Sequence, residues 1–410
     1  ARFGAGTGGG ARFGAGADAG LGEPIDFHRR LPGYRPTPLV EAPAIASLLG
    51  VGRVLVKDES SRFGLPAFKV LGASWAVYRA LEERLRTSTG DGGDGDSLAS
   101  FGFSEWESLE DLARHVAACG PLSLSAATDG NHGRAVARVA RWLGLRASIY
   151  VPANTVAARI EAIEGEGASC TVVEGSYDDA VRRSALDAGP TCLVISDTSW
   201  PGYTAVPGWV IDGYSTIFRE VEEQLPEMGL GRADVAVVPI GVGALAAAAV
   251  RNLRRGEEDL AGARPAIVGV EPLHAACVLQ SARAGRLLTL GGPQDSIMAG
   301  LNCGTPSELA FSDVAAGVDV FVAIEDEPVR EAMRHLARAG IVSGETGAAA
   351  LAGVSELLAS RDATKARSQL GLGSSSTALL LSTEGATDRV AYDESVGTAG
   401  GSAAERTPAR

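Results

Sequence analysis

A single lysine, Lys69, stands out in the stretch Gly-Leu-Pro-Ala-Phe-Lys-Val-Leu-Gly-Ala-Ser at residues 64–74, because its neighbours are small or apolar. Burying a lysine ammonium is costly, since the group loses its hydration and its pKa falls. Two interpretations are open. Either the amine reaches water from the first turn of an amphipathic helix, with Trp75, Tyr78 and Leu81 beneath it, or it acts as a nucleophile that forms a Schiff base.

A polar loop, Ala-Thr-Asp-Gly-Asn-His-Gly-Arg at residues 127–134, follows a predicted strand and opens a predicted helix. Backbone amides at such a helix N-terminus are suited to bind a substrate carboxylate. The alternative is an ordinary helix start with Asp129 or Asn131 as the N-cap. An N-cap explains one polar residue, but it leaves the clustering of threonine, aspartate, asparagine and histidine around two glycines unexplained.

A glycine-containing turn, Ile-Gly-Val-Gly-Ala at residues 240–244, joins an apolar strand to an alanine-rich helix. This arrangement directs several backbone N–H groups and a helix N-terminus at one point, which suits a phosphate. Glycine that only allows tight packing is the alternative. The turn is neither a Walker A motif nor a complete G-x-G-x-x-G, so a nucleotide is not specifically indicated.

Further small and polar residues follow other predicted strands. In Leu-Leu-Leu-Ser-Thr-Glu-Gly at 379–385, the hydroxyls could reach a ring nitrogen, or they could belong to a plain turn. The segment Ser-Asp-Thr-Ser-Trp-Pro-Gly-Tyr at 196–203 is also compatible with a surface turn. The small-residue loops at 297–304 and 343–347 would let backbone approach a flat ligand closely, although small residues also serve ordinary packing.

Short apolar runs rich in β-branched residues alternate with helix-period segments, which is typical of α/β folds with mainly parallel sheets. Strands are predicted at residues 53–57, 122–126, 147–151, 170–174, 192–196, 235–240, 266–271, 318–324 and 376–381. These are too many for one small sheet, so we expect two α/β domains with a cleft between them. The segments 1–21, 87–104 and 396–410 are expected to be a disordered tract, a flexible insertion and a disordered tail.

The composition of the chain disfavours several classes of function. The 410 residues are 45% hydrophobic, enough for a large core, and the net charge of −13 disfavours nucleic acid and anionic membranes as partners. Five scattered cysteines without a Cys-x-x-Cys pair predict neither a metal site nor a secreted disulfide framework. No bilayer-spanning apolar run or signal-peptide core is seen, so we expect a cytoplasmic protein that acts on a small molecule.

The order of these motifs resembles the fold type II pyridoxal-phosphate enzymes, the group of tryptophan synthase β and threonine dehydratase. Within that group, the fuller motifs are most similar to the diaminopropionate ammonia-lyase family. They lie at residues 67–69, 128–133, 197–203, 298–301, 343–345 and 382–385. The resemblance covers residues 22–395. Its most discriminating feature is Asp129, where threonine dehydratases usually carry serine.

The resemblance implies an α/β fold with two open, twisted, mainly parallel sheets flanked by helices, and pyridoxal 5′-phosphate (PLP) in the cleft between two domains. The large domain would comprise residues 22–86 and 205–395, and the small domain residues 105–204. A homodimer is implied as well.

The resemblance also implies a role for each site residue. Lys69 is similar to the Schiff-base lysine of the family, and Phe68 would pack near the cofactor ring. The other implied cofactor contacts are Asn131 with the 3′-oxygen, Gly241, Val242, Gly243 and Ala244 with the phosphate, and Ser382 or Thr383 with the ring nitrogen. The implied catalytic residues are Lys69, Asp129 and Asp197, and the implied substrate-binding residues are Thr128, Asp129, His132 and Asp197.

The implied reaction is the α,β-elimination of 2,3-diaminopropionate to pyruvate and ammonia. It needs a base for the Cα proton and an acid for the leaving amine. The resemblance places Lys69 and Asp129 on opposite faces of the substrate, one for each stereoisomer. Two alternatives stay open: a related lyase that acts on serine or threonine, and a non-catalytic ligand-binding relative, which the intact Lys69 disfavours.

Overall fold

The structure is a computed structural model that describes residues 22–88, 106–128, 130–255 and 264–397. The predicted catalytic residue Asp129 lies outside the described residues. So do the predicted tract 1–21 and most of the predicted insertion 87–104 and tail 396–410. Where those last two segments are described, their first residues complete helices that end at Ser88 and Val396.

The described residues contain ten strands in two sheets. The strands are β1 Leu39–Glu41, β2 Arg53–Asp58, β3 Ser123–Ala127, β4 Arg146–Pro152, β5 Ser169–Val173, β6 Cys192–Val194, β7 Val235–Pro239, β8 Ala266–Pro272, β9 Val320–Ile324 and β10 Thr377–Ser382. The larger sheet has the order β1-β2-β10-β7-β8-β9, and the smaller has the order β5-β4-β3-β6. All neighbouring strands are parallel except β1 and β2, which confirms the predicted α/β fold with two mainly parallel sheets.

Helices flank both sheets. The α-helices are α1 Pro24–Arg30, α2 Pro43–Leu49, α3 Lys69–Ser88, α4 Leu109–Ala118, α5 Asn131–Trp142, α6 Ala157–Glu164, α7 Tyr177–Ala185, α8 Ala205–Gly213, α9 Ser215–Gln224, α10 Ala244–Leu253, α11 Cys277–Ala284, α12 Glu308–Gly317, α13 Asp326–Arg338, α14 Glu345–Ala359, α15 Ala363–Leu370 and α16 Arg389–Val396. Short 3₁₀ turns lie at Pro226–Met228, Leu273–Ala275 and Ala299–Leu301. Among the described residues, no helix has the length and apolar character needed to cross a membrane.

The central strands β7 and β10 are continuous apolar runs because helices cover both faces of the sheet. Every residue of β7 and of β10 is buried. Strands that are buried on both faces lose the alternating polar pattern of a half-exposed strand. The edge strand β1 was not predicted, because three residues are too few to show a strand pattern. It pairs antiparallel with β2.

Close packing of α3 against α8 fixes the position of the helix that begins at Lys69. A Cβ atom at Gly213 would lie 2.6 Å from the carbonyl oxygen of Leu71, so only glycine fits at this crossing. Tyr214, directly after α8, packs edge-to-face on Phe68 with ring centroids 4.7 Å apart. The first turn of α3 is therefore held rigidly.

The two sheets present the carboxyl ends of their strands to a shared cleft. β7 and β10 end just before Gly241 and Thr383, and β3 and β6 end just before Thr128 and Asp197. In open α/β sheets, ligands bind beyond the carboxyl ends of parallel strands. The boundaries of the two domains stay a prediction.

Candidate active site

One cavity of about 660 Å³, counted with its open mouth, lies between the sheets and receives side chains from both. Most of the residues predicted to form the site line it. They are Phe68, Lys69, Thr128, Asn131, His132, Asp197, Gly241, Val242, Gly243, Ala244 and Thr383. Ser382 is buried but is not part of the lining, and Asp129 lies outside the described residues. Side chains and backbone of both sheets therefore converge on one cleft, as is usual for ligand sites in α/β folds.

Lys69 points its amine into this cavity. Its Nζ donates a hydrogen bond to Oδ2 of Asp197 at 2.6 Å, and only 17% of the lysine side chain is exposed. The Phe68 ring centroid lies 5.8 Å from the same Nζ. The interpretation in which Lys69 reaches bulk solvent along the helix surface does not agree with this geometry.

Asp197 is the anionic partner of Lys69 and follows strand β6. Its Oδ1 accepts a hydrogen bond from the hydroxyl of Tyr177 at 2.9 Å. Burial raises the pKa of the Asp197 carboxyl, but the charges of Lys69 and His132 and the hydrogen bonds from Lys69 and Tyr177 lower that pKa well below its usual value. Asp197 therefore stays ionised and can hold a cation.

The loop before α5 brings three predicted residues to the cavity. The hydroxyl of Thr128 accepts a hydrogen bond from the N–H of Gly130 at 2.8 Å, which shapes the loop. His132 is buried, with Nε2 2.8 Å from the carbonyl oxygen of Ile195, and its Nδ1 has no hydrogen-bond partner among the described residues. Asn131 donates its amide to Glu384, so its side chain is already oriented toward the cavity.

The turn between β7 and α10 forms an anion cradle. Gly243 has φ +103°, a left-handed conformation that favours glycine, and it caps α10 without any side-chain hydrogen bond to the helix. A Cβ atom at Gly241 would lie 3.1 Å from the carbonyl oxygen of Gly300, so bulk is also excluded there. Free amide donors at a helix N-terminus attract a phosphate through hydrogen bonds and the helix dipole.

The two hydroxyls at the end of β10 are not equivalent. The Ser382 hydroxyl donates to Oγ of Ser343 at 2.8 Å. The Thr383 hydroxyl is buried, lines the cavity and has no hydrogen-bond partner among the described residues. An unpartnered buried hydroxyl is costly, and a ligand nitrogen would satisfy it.

Tyr177 and Glu384 line the cavity and contact predicted site residues, but neither was itself predicted as a site residue. Tyr177 begins α7 directly after Ser176, whose capping box with Asp179 marks the helix start, and it contacts Asp197. Glu384 is fully buried and accepts hydrogen bonds from Asn131 and from the N–H of Thr346, the latter at 3.1 Å. The capping box could have shown where α7 begins, but nothing in the local sequence shows that Tyr177 reaches Asp197.

The residues present fit PLP. The cavity combines an amine on Lys69, a glycine cradle for a phosphate at the start of α10 and an unpartnered hydroxyl on Thr383. These groups match the aldehyde, the phosphate and the ring nitrogen of that cofactor. The aromatic ring of Phe68 forms part of the same wall.

A family model described as "Pyridoxal-phosphate dependent enzyme" matches residues 30–372. The chain therefore belongs to the PLP-dependent enzymes of this fold, which confirms the predicted cofactor and fold class.

Within this class, the chain belongs to the diaminopropionate ammonia-lyase family. It is 35% identical to the diaminopropionate ammonia-lyase of Escherichia coli over 376 residues, which are 90% of this chain and 89% of that protein. The crystal structure of the E. coli enzyme in complex with D-serine superposes with a TM-score of 0.78 at 34% identity, covering 91% of this chain and 90% of that one.

A threonine dehydratase matches over a much shorter part of the chain. The L-threonine dehydratase of Corynebacterium glutamicum is 30% identical over 238 residues, 57% of this chain and 52% of that protein. The difference in coverage favours the ammonia-lyase reading over the dehydratase alternative and confirms the predicted family and enzyme class.

Proposed function

We propose that this chain catalyses the PLP-dependent α,β-elimination of 2,3-diaminopropionate, which with water gives pyruvate and ammonia. The observation that carries the proposal is the pair of Lys69 Nζ and Asp197 Oδ2, 2.6 Å apart in the cavity that also contains the glycine cradle. An elimination needs an amine that can move a proton, and a diamine substrate needs a carboxylate that can hold its second ammonium.

The cofactor would be held by residues of both sheets. Lys69 would hold the aldehyde, the amides of 241–244 the phosphate, and Asn131 the 3′-oxygen, with the Phe68 ring beside the cofactor. Of the two hydroxyls that were considered for the ring nitrogen, the unpartnered one of Thr383 is better placed than that of Ser382. When bound, PLP supplies an electron sink conjugated to the substrate Cα.

Lys69 and Asp197 would divide the proton chemistry. Lys69 Nζ, as a neutral amine, would take the Cα proton. The substrate's second amino group, held in its protonated form by Asp197, would leave as ammonia and would need no further proton. Asp197 stays an anion, so its part is to hold an ammonium group: that of Lys69 in the protein without cofactor and the second ammonium of the substrate in the complex. Thr128 and His132 would line the substrate's side of the cavity.

Asp129 is proposed, on the family resemblance, as the base for the D isomer. Asp129→Asn keeps the shape of the side chain but removes the proton acceptor. We expect turnover of the D isomer to fall by about 10² to 10⁴, with the L isomer affected much less. Equal losses on both isomers would assign Asp129 a role common to both.

Purified protein loaded with PLP should release pyruvate from one or both isomers of 2,3-diaminopropionate faster than it turns over serine or threonine. The Lys69→Ala variant should release none and should lose the visible absorbance band of the bound cofactor. Preferred turnover of serine or threonine would instead support the dehydratase alternative. A wild-type protein without the band would support the non-catalytic relative.

The proposal includes a homodimer in the cytoplasm. The dimer rests on the family resemblance, and the cytoplasmic location rests on the scattered cysteines without a disulfide framework. Light scattering coupled to gel filtration should give twice the chain mass of 41.9 kDa, and a monomer mass would contradict the dimer.

A further inference from the structure

Glu384 is a buried carboxylate at the active site that has no part in the proposed reaction. It lines the cavity directly after Thr383, and only 1% of its surface is exposed. Burying an unpaired carboxylate is costly, so a buried glutamate needs donors and a counter-charge around it. The groups that surround Glu384 therefore indicate what its charge does.

Three groups surround the Glu384 carboxylate. Oε1 accepts a hydrogen bond from the backbone N–H of Thr346 at 3.1 Å, and Oε2 accepts one from the side-chain amide of Asn131. The guanidinium of Arg159, whose side chain is 7% exposed, lies 4.0 Å from Oε1 and supplies positive charge. Both oxygens accept and neither donates, which is the bonding pattern of an ionised carboxylate.

The two small-residue loops of the sequence hold Glu384 in place. Gly347 packs against its backbone, since a Cβ atom at Gly347 would lie 2.5 Å from the Glu384 carbonyl oxygen. The N–H of Gly344 donates to that oxygen at 3.0 Å. In the other loop, the N–H of Gly300 donates to the Thr346 hydroxyl at 3.2 Å. Both the backbone of Glu384 and the donor to its carboxylate are therefore fixed.

The carboxylate decides which atom of the Asn131 amide faces it. An ionised carboxylate only accepts hydrogen bonds, so the atom of Asn131 that faces Glu384 is the nitrogen Nδ2 and not the carbonyl oxygen. Nδ2 carries two N–H groups, and Glu384 uses one of them. The second N–H is left for a ligand in the cavity, which both side chains line.

We infer that Glu384 is a positioning residue for the cofactor and acts through Asn131. It holds the amide so that an N–H, and not the carbonyl oxygen, is available to the 3′-oxygen of PLP, while Arg159 balances its charge. An oxygen with anionic character needs such a donor. The inference rests on the proposed contact of Asn131 with that oxygen, but not on which amino acid is the substrate.

Glu384→Gln tests this role with little change in shape. Glutamine has one accepting oxygen where the carboxylate has two, and the fixed N–H of Thr346 needs that acceptor. The glutamine NH₂ would then face Asn131, whose amide would have to turn its carbonyl oxygen toward it. We expect the affinity for PLP to fall about tenfold, measured by tryptophan fluorescence as the full chain, freed of cofactor, is titrated with PLP.

A second variant separates this role from a mere loss of charge. Glu345→Gln removes a neighbouring carboxylate that interacts with the charges of Glu384 and Arg159 but is not hydrogen-bonded to Asn131 in the described part of the chain. We expect it to change PLP affinity little. Loss of a negative charge alone would strengthen the binding of anionic PLP or leave it unchanged. Equal weakening by Glu345→Gln and Glu384→Gln would overturn the inference.

A double variant tests whether Glu384 acts through Asn131. Asn131→Ala alone should weaken PLP binding about tenfold, and adding Glu384→Gln should weaken it no further. Both single variants should also shift the visible band of bound PLP in the same direction. Additive losses in the double variant, or wild-type affinity in either single variant, would overturn the inference. A wild type that prefers serine to diaminopropionate would contradict the proposed reaction alone.

Discussion

At the scale of single residues, the role of each polar side chain in the site depends on whether it already has a hydrogen-bond partner within the protein. Asp197 is held by Lys69 and Tyr177 in a buried setting, so its carboxylate is oriented before any substrate arrives. Such preorganisation avoids the cost of ordering the groups during the reaction. The same reasoning separates Ser382, whose hydroxyl is bonded to Ser343, from Thr383, whose hydroxyl is not bonded to any described residue.

Thr383→Val removes a hydroxyl and keeps the shape of the side chain. We expect kcat for diaminopropionate to fall about three- to tenfold, the value of one hydrogen bond, and the visible band of the bound cofactor to shift. Ser382→Ala, the matched variant one position earlier, should change both quantities less. A larger effect from Ser382→Ala would assign the ring nitrogen to Ser382.

At the scale of elements, the β7-turn-α10 unit holds the phosphate through its backbone. Gly243→Val should lower cofactor affinity at least about fivefold, because a β-branched residue at φ +103° costs about 1–3 kcal/mol and distorts the cradle. The measurement is PLP per chain after gel filtration, with Gly373→Val as the control. Unchanged PLP content in a folded Gly243→Val protein would place the phosphate elsewhere.

A buried ionic network ties helix α9 to the segment that leads into Lys69. Glu220 on α9 pairs with Lys57 at 2.7 Å and with Arg62 at 2.6 Å, and all three side chains are at most 1% exposed. Burial raises the pKa of Glu220, but Arg62 and Lys57 lower it from its ordinary value of 4.5 to about 2. A lowered pKa stabilises the fold above about pH 4.5, and this contribution is lost as the pH falls toward 2.

Glu220→Gln should therefore destabilise the protein by about 3 kcal/mol at neutral pH, because it leaves buried cations without their counter-charge. The expected result is a Tm lower by about 3–5 °C, measured by thermal unfolding. The difference from wild type should shrink as the pH falls below about 4.5, where the wild-type carboxylate loses its own contribution. Glu223→Gln, an exposed neighbour on the same helix, should change Tm little, and an equal effect of the two variants would contradict a role for the network.

The elements differ in how far the sequence could predict them. The β7-turn-α10 unit was predictable because a buried apolar strand, a glycine turn and an alanine-rich helix follow one another locally. The contact of Tyr177 with Asp197 could not be predicted. It depends on the order of the strands in the smaller sheet, where β5 and β6 are the two edges, and on the path of α7 across that sheet. The motif at 382–385 contains Glu384, but its hydrogen bond with Asn131 is a tertiary contact between the two sheets, which a sequence motif does not predict.

At the scale of the whole molecule, the active site exists only where the two sheets meet. Asn131, which follows β3 of the smaller sheet, donates a hydrogen bond to Glu384, which follows β10 of the larger sheet. The hydroxyls of Ser199 and Ser307, 2.9 Å apart, form a second hydrogen bond between the two parts. Lys69 and Asp197 also meet across the cleft between the sheets. The chemistry therefore depends on the two sheets keeping their relative position, which a motif in the sequence does not define.

The central claim is that this cleft is built for a diamine, with the Asp197 carboxylate holding the second ammonium. The most direct test is the ratio of kcat/KM for diaminopropionate to that for serine, in the wild type and in Asp197→Asn with PLP bound. We predict a ratio well above one in the wild type and a loss of about 10² in kcat/KM for the diamine in the variant, with at most about a tenfold loss for serine. Equal losses on both substrates, or a wild-type ratio below one, would contradict the claim.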